Sequence, residues 1–137
     1  MKIIKYRNSF EKSVAAWLTK HKIWFAYEKY RIVFLSSVRG GQCENCKSMR
    51  VVKSSSYLTD FTMDAFSFII EAKGHMPSAQ RTRYIALQKA GHDIRFVFQR
   101  DNKLSSKSGT RYSDWADRYG FKYSMNLPDP KWFRRKK

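Results

Sequence analysis

The stretch Tyr57-Leu-Thr-Asp-Phe-Thr-Met63, followed closely by Phe66-Ser-Phe-Ile-Ile-Glu-Ala-Lys-Gly74, decides the fold of this chain. Both segments are rich in aromatic and β-branched residues, which predicts two adjacent β-strands. Side chains alternate between the faces of a strand, so Glu71 and Lys73 point the same way. A neighbouring strand can place Asp60 beside them. Two carboxylates bind a hard divalent cation, and an ammonium group next to that cation can orient or deprotonate a water molecule.

A carboxylate, a spacer and then carboxylate-x-lysine form the working core of metal-dependent nucleases. This chain carries that order as Asp60, Glu71 and Lys73. The alternative is a solvated strand face on which Glu71 and Lys73 form an ion pair. The apolar run Phe68–Ile70 favours catalysis, because charged groups at the end of an apolar strand are costly unless a ligand uses them. Asp64 competes with Asp60 as a metal ligand, but it lies at the expected hairpin turn.

The composition predicts a single domain with a polyanionic partner. The chain has 137 residues, of which 42% are hydrophobic, and supports one domain over residues 1–137. Its formal net charge is +17, and the basic residues are scattered rather than lined along one helix, which favours nucleic acid over a membrane surface. No apolar stretch approaches the roughly 20 residues of a membrane span, and no signal-peptide core is present. These features, with two cysteines, predict a reduced cytoplasmic protein.

The remaining pattern predicts a mixed α/β domain with one central sheet flanked by helices. Ser9 is the expected N-cap of the first helix, and Glu11 borders the buried stripe of that helix. Trp24 to Phe34 is predicted to form one long strand. Residues 35–56 are the least regular part and are predicted to be a bridge, a loop or an insertion. Further predictions are helices at 78–90 and 113–120, strands at 93–99 and 121–123, a polar basic loop at 101–110, a basic tail at 131–137, and core positions for Trp17, Trp24 and Trp115.

Cys43 and Cys46 have the spacing of a zinc-ligand pair, but a structural zinc site takes four ligands. Two chains could supply one pair each, or His21, His75 or His92 could complete a site within one chain. The alternative is two reduced thiols on a loop. Zinc at this pair is therefore a hypothesis for metal analysis.

Basic residues outside the strands are the expected phosphate contacts, which position a duplex without reading its bases. His75, directly after the Lys73-Gly74 pair, is either a contact to the scissile phosphate or a polar residue at a strand exit. Each of the others is either a phosphate contact or a solubilising charge. The predicted DNA-contacting residues are Arg7, His75, Arg81, Arg83, Lys89, Lys103, Lys107, Arg111, Arg134 and Arg135, with Lys136 and Lys137 of the tail.

Taken in order, these motifs resemble those of the bacteriophage endonuclease I family, small Holliday junction resolvases within the PD-(D/E)XK nuclease superfamily. The resemblance runs through most of the chain, and the ordered set is more specific than any single motif. The matching segments are Tyr6–Glu11, Phe25–Glu28, Tyr57–Phe61, Ile70–Gly74, Asp93–Phe98, Ser108–Trp115 and Tyr119–Tyr123.

The resemblance implies a restriction-endonuclease-like core, an intertwined homodimer and two Mg²⁺ (or Mn²⁺) ions in each active site. It implies that Asp60, Glu71 and the backbone carbonyl of Ala72 hold one ion. Asp60 and Glu11 would hold or approach the second ion, and Lys73 would position the attacking water. The helix that carries Glu11 is then expected to pair with metal-site residues of the other subunit.

The chain departs from the family pattern in three places. Thr59 stands where the family usually has proline, and the interval from Asp60 to Glu71 is slightly longer than expected. Residues 35–56 form a longer segment than the connecting bridge of the family and contain the cysteine pair.

The sequence therefore predicts a Mg²⁺-dependent, structure-selective endodeoxyribonuclease that acts as a homodimer. Its expected substrates are four-way (Holliday) junctions and other branched double-stranded DNA, in the host cytoplasm if a phage encodes it. One alternative is another nuclease of the same superfamily, of the restriction-like, transposon-end or head-completion type. The other alternative is a non-catalytic basic DNA-binding protein.

Overall fold

A computed structural model describes residues 5–39, 50–63 and 65–134 of the chain. The helices are α1 (Ser9–Lys20), α2 (Ser78–Lys89) and α3 (Tyr112–Tyr119), with a 3₁₀ turn at Pro130–Phe133. The strands are β1 (Ala26–Tyr27), β2 (Arg31–Arg39), β3 (Arg50–Leu58), β4 (Phe61–Thr62), β5 (Phe68–Lys73), β6 (Asp93–Phe98) and β7 (Lys122–Met125).

Five of these strands form a mixed sheet in the order β1-β4-β5-β6-β7, and β2 pairs with β3 in a separate antiparallel hairpin. The pairs β1–β4 and β4–β5 are antiparallel, whereas the pairs β5–β6 and β6–β7 are parallel. Because β5 and β6 are parallel, the segments that follow them leave the sheet at the same edge. The predicted mixed α/β class is confirmed.

The two faces of the sheet pack against different helices. Phe68, Ile70 and Ala72 of β5 join the α1 residues in one buried cluster. Ile69 joins the buried residues of α2 and α3 in the other cluster. Alternation along the strand therefore puts Glu71 on the α2 side, with α1 on the opposite face.

The segment predicted as one long strand, Trp24 to Phe34, is broken into β1 and β2. The break is a β-bulge, since the three residues 28–30 lie opposite the two residues 59–60 between the pairs Tyr27↔Phe61 and Arg31↔Leu58. Glu28 has a φ of 47°, in the left-handed region. A non-glycine residue there is under strain, and the sequence offered no signal of it.

The alternative of a loop over residues 35–56 was wrong for both ends of the segment, whereas a bridge or an insertion stays a prediction. Residues 35–39 belong to β2 and residues 50–56 belong to β3, which pair in register from Arg31↔Leu58 to Arg39↔Arg50. Serine and lysine side chains hid the strand pattern, because a hairpin outside the main sheet does not need two apolar faces. Cys43 and Cys46 lie outside the described residues, as do Asp64 and Arg135.

Several smaller expectations also change. Asn8 caps α1 in place of Ser9, because the Asn8 side chain accepts a hydrogen bond from the Glu11 amide. Trp115 is buried, whereas Trp24 is 90% exposed, so the prediction of a core position for Trp24 was wrong. The segment predicted as a basic tail, residues 131–137, starts within the 3₁₀ turn, and Phe133 packs against Phe66 and Phe68.

The described helices are short, with 12 residues in each of the two longest. Within residues 5–39, 50–63 and 65–134, no helix combines the length and the hydropathy needed to cross a bilayer.

Candidate active site

Asp60 and Glu71 lie side by side at the point where the chain passes from β3 to β4. The Asp60 amide donates to Glu71 Oε1 over 3.2 Å, and the Ala72 amide donates to Asp60 Oδ2, also over 3.2 Å. These reciprocal bonds lock the two carboxylates against the end of β5. Lys73 Nζ lies 3.9 Å from Glu71 Oε2, on the same face of the strand. The predicted grouping of Asp60, Glu71, Ala72 and Lys73 is present.

The Glu71 carboxylate is fully buried, and only one of its two oxygens accepts a hydrogen bond from a described residue. Its exposed fraction is 0%, and Oε2 accepts no hydrogen bond from any described residue. Burial raises the pKa of Glu71 well above its usual range, and the Asp60 carboxylate raises it further, while Lys73 opposes both effects. Burial likewise raises the pKa of Asp60. Among the described residues, the nearest cation to this oxygen, Lys73 Nζ, is 3.9 Å away, and a buried carboxylate oxygen without a hydrogen bond costs free energy unless a ligand occupies it.

Two tyrosines close the site on the α2 side. The hydroxyl groups of Tyr57 and Tyr84 lie 3.2 Å apart in a buried pair. Lys73 Nζ stands 5.5 Å from the centroid of the Tyr84 ring, which places the ammonium group over an aromatic face. Burial raises the pKa of Tyr57, as does the charge of Glu71, so the phenol remains protonated beside the carboxylate. Neither tyrosine was among the predicted site residues.

Helix α1 brings Glu11 to the other side of Asp60. Glu11 is 5% exposed, and burial raises its pKa. The Tyr27 hydroxyl donates to Glu11 Oε2 over 2.5 Å, and the Arg7 amide donates to the same oxygen over 3.2 Å. Within this one chain, Glu11 already lies next to Asp60.

Glu28 is the acidic residue of the site that the sequence analysis missed. One carboxylate oxygen from each of Glu11, Glu28 and Asp60 lies within 4.8 Å of the others. The Glu28 amide donates to the Asp60 carbonyl over 2.9 Å, which makes the two residues cross-strand neighbours at the bulge. The signal in the sequence was weak, since Glu28 merely follows a short apolar segment.

The donor set fits a divalent cation on both sides of Asp60. All the candidate ligands are carboxylate or carbonyl oxygens, which Mg²⁺, Mn²⁺ and Ca²⁺ prefer. Two oxygens that are each about 2.4 Å from one cation are at most about 4.8 Å apart. One oxygen from each of Glu11, Glu28 and Asp60 lies within that limit of the others. The orphaned Glu71 oxygen supplies a further ligand position. Four of the 11 acidic residues thus converge in a chain with 28 lysines and arginines.

Basic side chains surround the edge of the sheet that carries Glu71 and Lys73. The Asn102 side chain donates to the Gly74 carbonyl, and the Met76 amide donates to the Tyr112 hydroxyl, so the loop after β6 lies against the exit of β5. His75, Arg83, Lys103, Lys107 and Arg111 are exposed at or beside this edge. Arg7 is exposed beside Glu11. Lys89 and Arg134 are also exposed but lie toward the opposite edge, since Lys89 ends α2 shortly before β6 begins and Arg134 follows Phe133, which packs against Phe66 and Phe68.

Two of the predicted DNA-contacting arginines, Arg81 and Arg111, also have structural contacts. Arg81 Nη1 donates to the Met76 carbonyl over 2.8 Å, and Arg111 Nη1 donates to the Asp101 carbonyl over 2.7 Å. Both guanidinium groups hold the loops at the edge and retain further donors for a phosphate.

Comparison with known proteins places this arrangement in a family. The sequence matches the family model described as phage endonuclease I over residues 1–137. The chain belongs to the phage endonuclease I family. Over 139 aligned positions it is 24% identical to endonuclease I of Escherichia phage T7, covering 99% of this chain and 83% of the T7 protein. The resemblance given by the ordered motifs is confirmed, and the chain is a nuclease of the phage endonuclease I family.

Proposed function

We propose that this chain is a divalent-metal-dependent endonuclease that cleaves four-way junctions and other branched DNA. The observation that carries the proposal is the convergence of Glu11, Glu28, Asp60 and Glu71 beside Lys73 on a chain of net charge +17. Carboxylates gathered in this way repel each other unless cations join them. The surrounding positive charge suits a polyanionic substrate.

The position of each residue in the site suggests its role. Asp60, Glu71 and the Ala72 carbonyl would hold one cation, and Asp60 with Glu11 would hold a second. When bound by these residues, Mg²⁺ or Mn²⁺ would supply positive charge beside the phosphate and lower the pKa of a water molecule toward neutrality. Lys73 would orient the attacking water, since its ammonium group is held between Glu71 and the Tyr84 ring. Water attacks phosphorus and the P–O3′ bond breaks, which leaves a 5′-phosphate and a 3′-hydroxyl.

Tyr27 and the two buried tyrosines would keep these groups in place. The Tyr27 hydroxyl and the Arg7 amide fix one oxygen of Glu11, so its other oxygen is left for a ligand. The Tyr57–Tyr84 pair closes the α2 side, which excludes water from the buried edge of Glu71. Such preorganisation reduces the rearrangement needed when substrate binds.

The exposed basic residues at the same edge would hold the DNA arms by their phosphates. His75, Lys103, Lys107 and Arg111 follow β5 and β6, which leave the sheet beside the carboxylates. Contacts of this kind carry shape and position rather than base sequence. That property suits an enzyme selective for branches.

The proposal extends to a restriction-endonuclease-like core and to a homodimer, whose two sites would cut two strands of one junction. Within one chain, Glu11 of α1 lies next to Asp60. Each active site therefore needs an α1 helix, whether that helix comes from the same subunit or from the partner. Sedimentation of the purified protein at micromolar concentration is expected to give twice the monomer mass of 16.3 kDa. A monomer at that concentration would contradict the dimer.

Cleavage of a labelled four-way junction tests the main proposal. With Mg²⁺ we expect cleavage near the branch point, and with Ca²⁺ we expect binding without cleavage. A linear duplex and a flap of the same sequence serve as matched substrates and are expected to react more slowly. Equal rates on linear duplex would point to another nuclease of the superfamily. Tight binding with no Mg²⁺-dependent cleavage of any DNA would point to a non-catalytic binding protein.

Zinc at Cys43 and Cys46 is a separate proposal, carried by spacing alone. Metal analysis of purified protein is expected to find about one zinc per two chains if two pairs form one site, or about one per chain if histidines complete it. A clearly lower content in wild type, or the same content after a double Cys-to-Ser change, would contradict zinc binding.

A further inference from the structure

Glu28 has a position and a backbone conformation that the proposed cation sites do not yet explain. Its amide donates to the Asp60 carbonyl beside the paired ends of β1 and β4, which brings two like charges close together and is unfavourable. Its φ of 47° lies in the left-handed region, which is strained for a residue other than glycine. Both costs arise because the backbone holds the Glu28 carboxylate in one position. The extra residue of the bulge changes the direction of the strand at that point.

We propose that Glu28 is a third carboxylate ligand group of the cation that Glu11 and Asp60 share. The inference rests on the proposed function and names a residue of this chain that adds to its site. One oxygen from each of the three side chains falls within the 4.8 Å span that a single cation can bridge. Two of the three carboxylates are buried, since Glu11 is 5% and Asp60 is 7% exposed, so the oxygens gathered here are shielded from bulk water. On the other side of Asp60, the buried Glu71 Oε2 accepts no hydrogen bond from any described residue, so Asp60 lies between two places that a cation can occupy.

Arg7 is the counter-charge of Glu28 when no cation is bound. Arg7 Nε lies 2.5 Å from Glu28 Oε1, and the Arg7 side chain is 68% exposed, against 21% for Glu28. The exposed guanidinium can therefore leave without disturbing the core. The Arg7 groups that hold Glu11 and Tyr27 belong to the backbone, so the side chain is free to exchange partners.

Cation binding and the ion pair then compete for the same carboxylate. A cation that takes Glu28 would release Arg7, whose side chain is 68% exposed and could then bind a DNA phosphate. Loading of the cation and binding of the DNA backbone would be coupled through this exchange of partners.

Binding of Mn²⁺ alone, without DNA, tests the inference through changes of opposite sign. Glu28→Gln keeps the volume of the side chain and is expected to weaken the weaker of two Mn²⁺ sites by about tenfold or more. Arg7→Gln removes the competitor and is expected to tighten the same site severalfold. Electron paramagnetic resonance of free Mn²⁺, at low salt, measures both affinities directly.

Asp93→Asn is the matched control, since it also removes a carboxylate paired with an arginine. Asp93 pairs with Arg95 and lies at the opposite end of β6 from the site, so its Mn²⁺ affinity is expected to equal that of wild type. Equal Mn²⁺ affinity for Glu28→Gln and wild type would overturn the inference, as would a loss of affinity in Arg7→Gln. Absence of Mn²⁺ binding by wild type would instead overturn the proposed function together with it.

Discussion

Replacing Glu71 by glutamine is expected to lower the rate of junction cleavage by at least about a thousandfold, while junction affinity stays close to wild type. Stabilisation by a bound cation contributes several kcal/mol to a transition state, and about 1.4 kcal/mol corresponds to each tenfold in rate. Glu71 is the one fully buried carboxylate among the described residues, so its charge cannot be replaced by a neighbouring group from the surface. The measurement is a single-turnover cleavage rate with enzyme in excess over a labelled junction.

Affinity is expected to survive because the groups that would grip the DNA are elsewhere. Glu71 has no exposed surface, whereas the predicted phosphate contacts are exposed lysines and arginines. Binding is measured in Ca²⁺, which avoids cleavage by the wild type. Asp117→Asn serves as a control, because Asp117 is an exposed residue of α3 outside the site. Cleavage by Glu71→Gln within tenfold of wild type would remove Glu71 from the proposed mechanism.

The grouping of Asp60, Glu71 and Lys73 could be predicted because strand alternation and an apolar run fix where side chains point. Alternation puts Glu71 and Lys73 on one face, and antiparallel pairing of β4 with β5 brings Asp60 next to them. Glu11 could be predicted from its place beside a helical apolar stripe. Each of these rules applies to residues that are close together in the sequence.

Glu28 could not be predicted, because its position depends on a bulge between strands that are 30 residues apart in sequence. A single extra residue in one strand is invisible in composition, and the left-handed φ at Glu28 is not typical of glutamate. The Tyr57–Tyr84 pair could not be predicted for a similar reason, since the two hydroxyl groups meet only when α2 packs on the sheet. The exposure of Trp24 shows the limit of composition, because a tryptophan that looks like core can lie on the surface.

The same change at Glu71 is expected to make the cation-free protein more stable. The folded pKa of Glu71 is raised above its unfolded value of 4.5, mainly by burial. The stability associated with its neutral form is therefore fully present below pH 4.5 and is lost as pH rises through the folded pKa. Glutamine has no proton to lose. The difference in stability between Glu71→Gln and wild type should accordingly grow from small values at low pH to roughly 1–3 kcal/mol at pH 8.

Denaturant unfolding in EDTA at pH 5 and pH 8 measures this difference, and added Ca²⁺ reverses its sign. A cation that binds only the folded state stabilises it by an amount that grows with concentration above the dissociation constant. Wild type should gain this stabilisation, whereas Glu71→Gln, which lacks the buried anionic ligand, should gain much less. If Glu71→Gln were less stable than wild type in EDTA at pH 8, the buried carboxylate would be a structural group. A destabilising carboxylate that cations rescue is instead the signature of a ligand kept for catalysis.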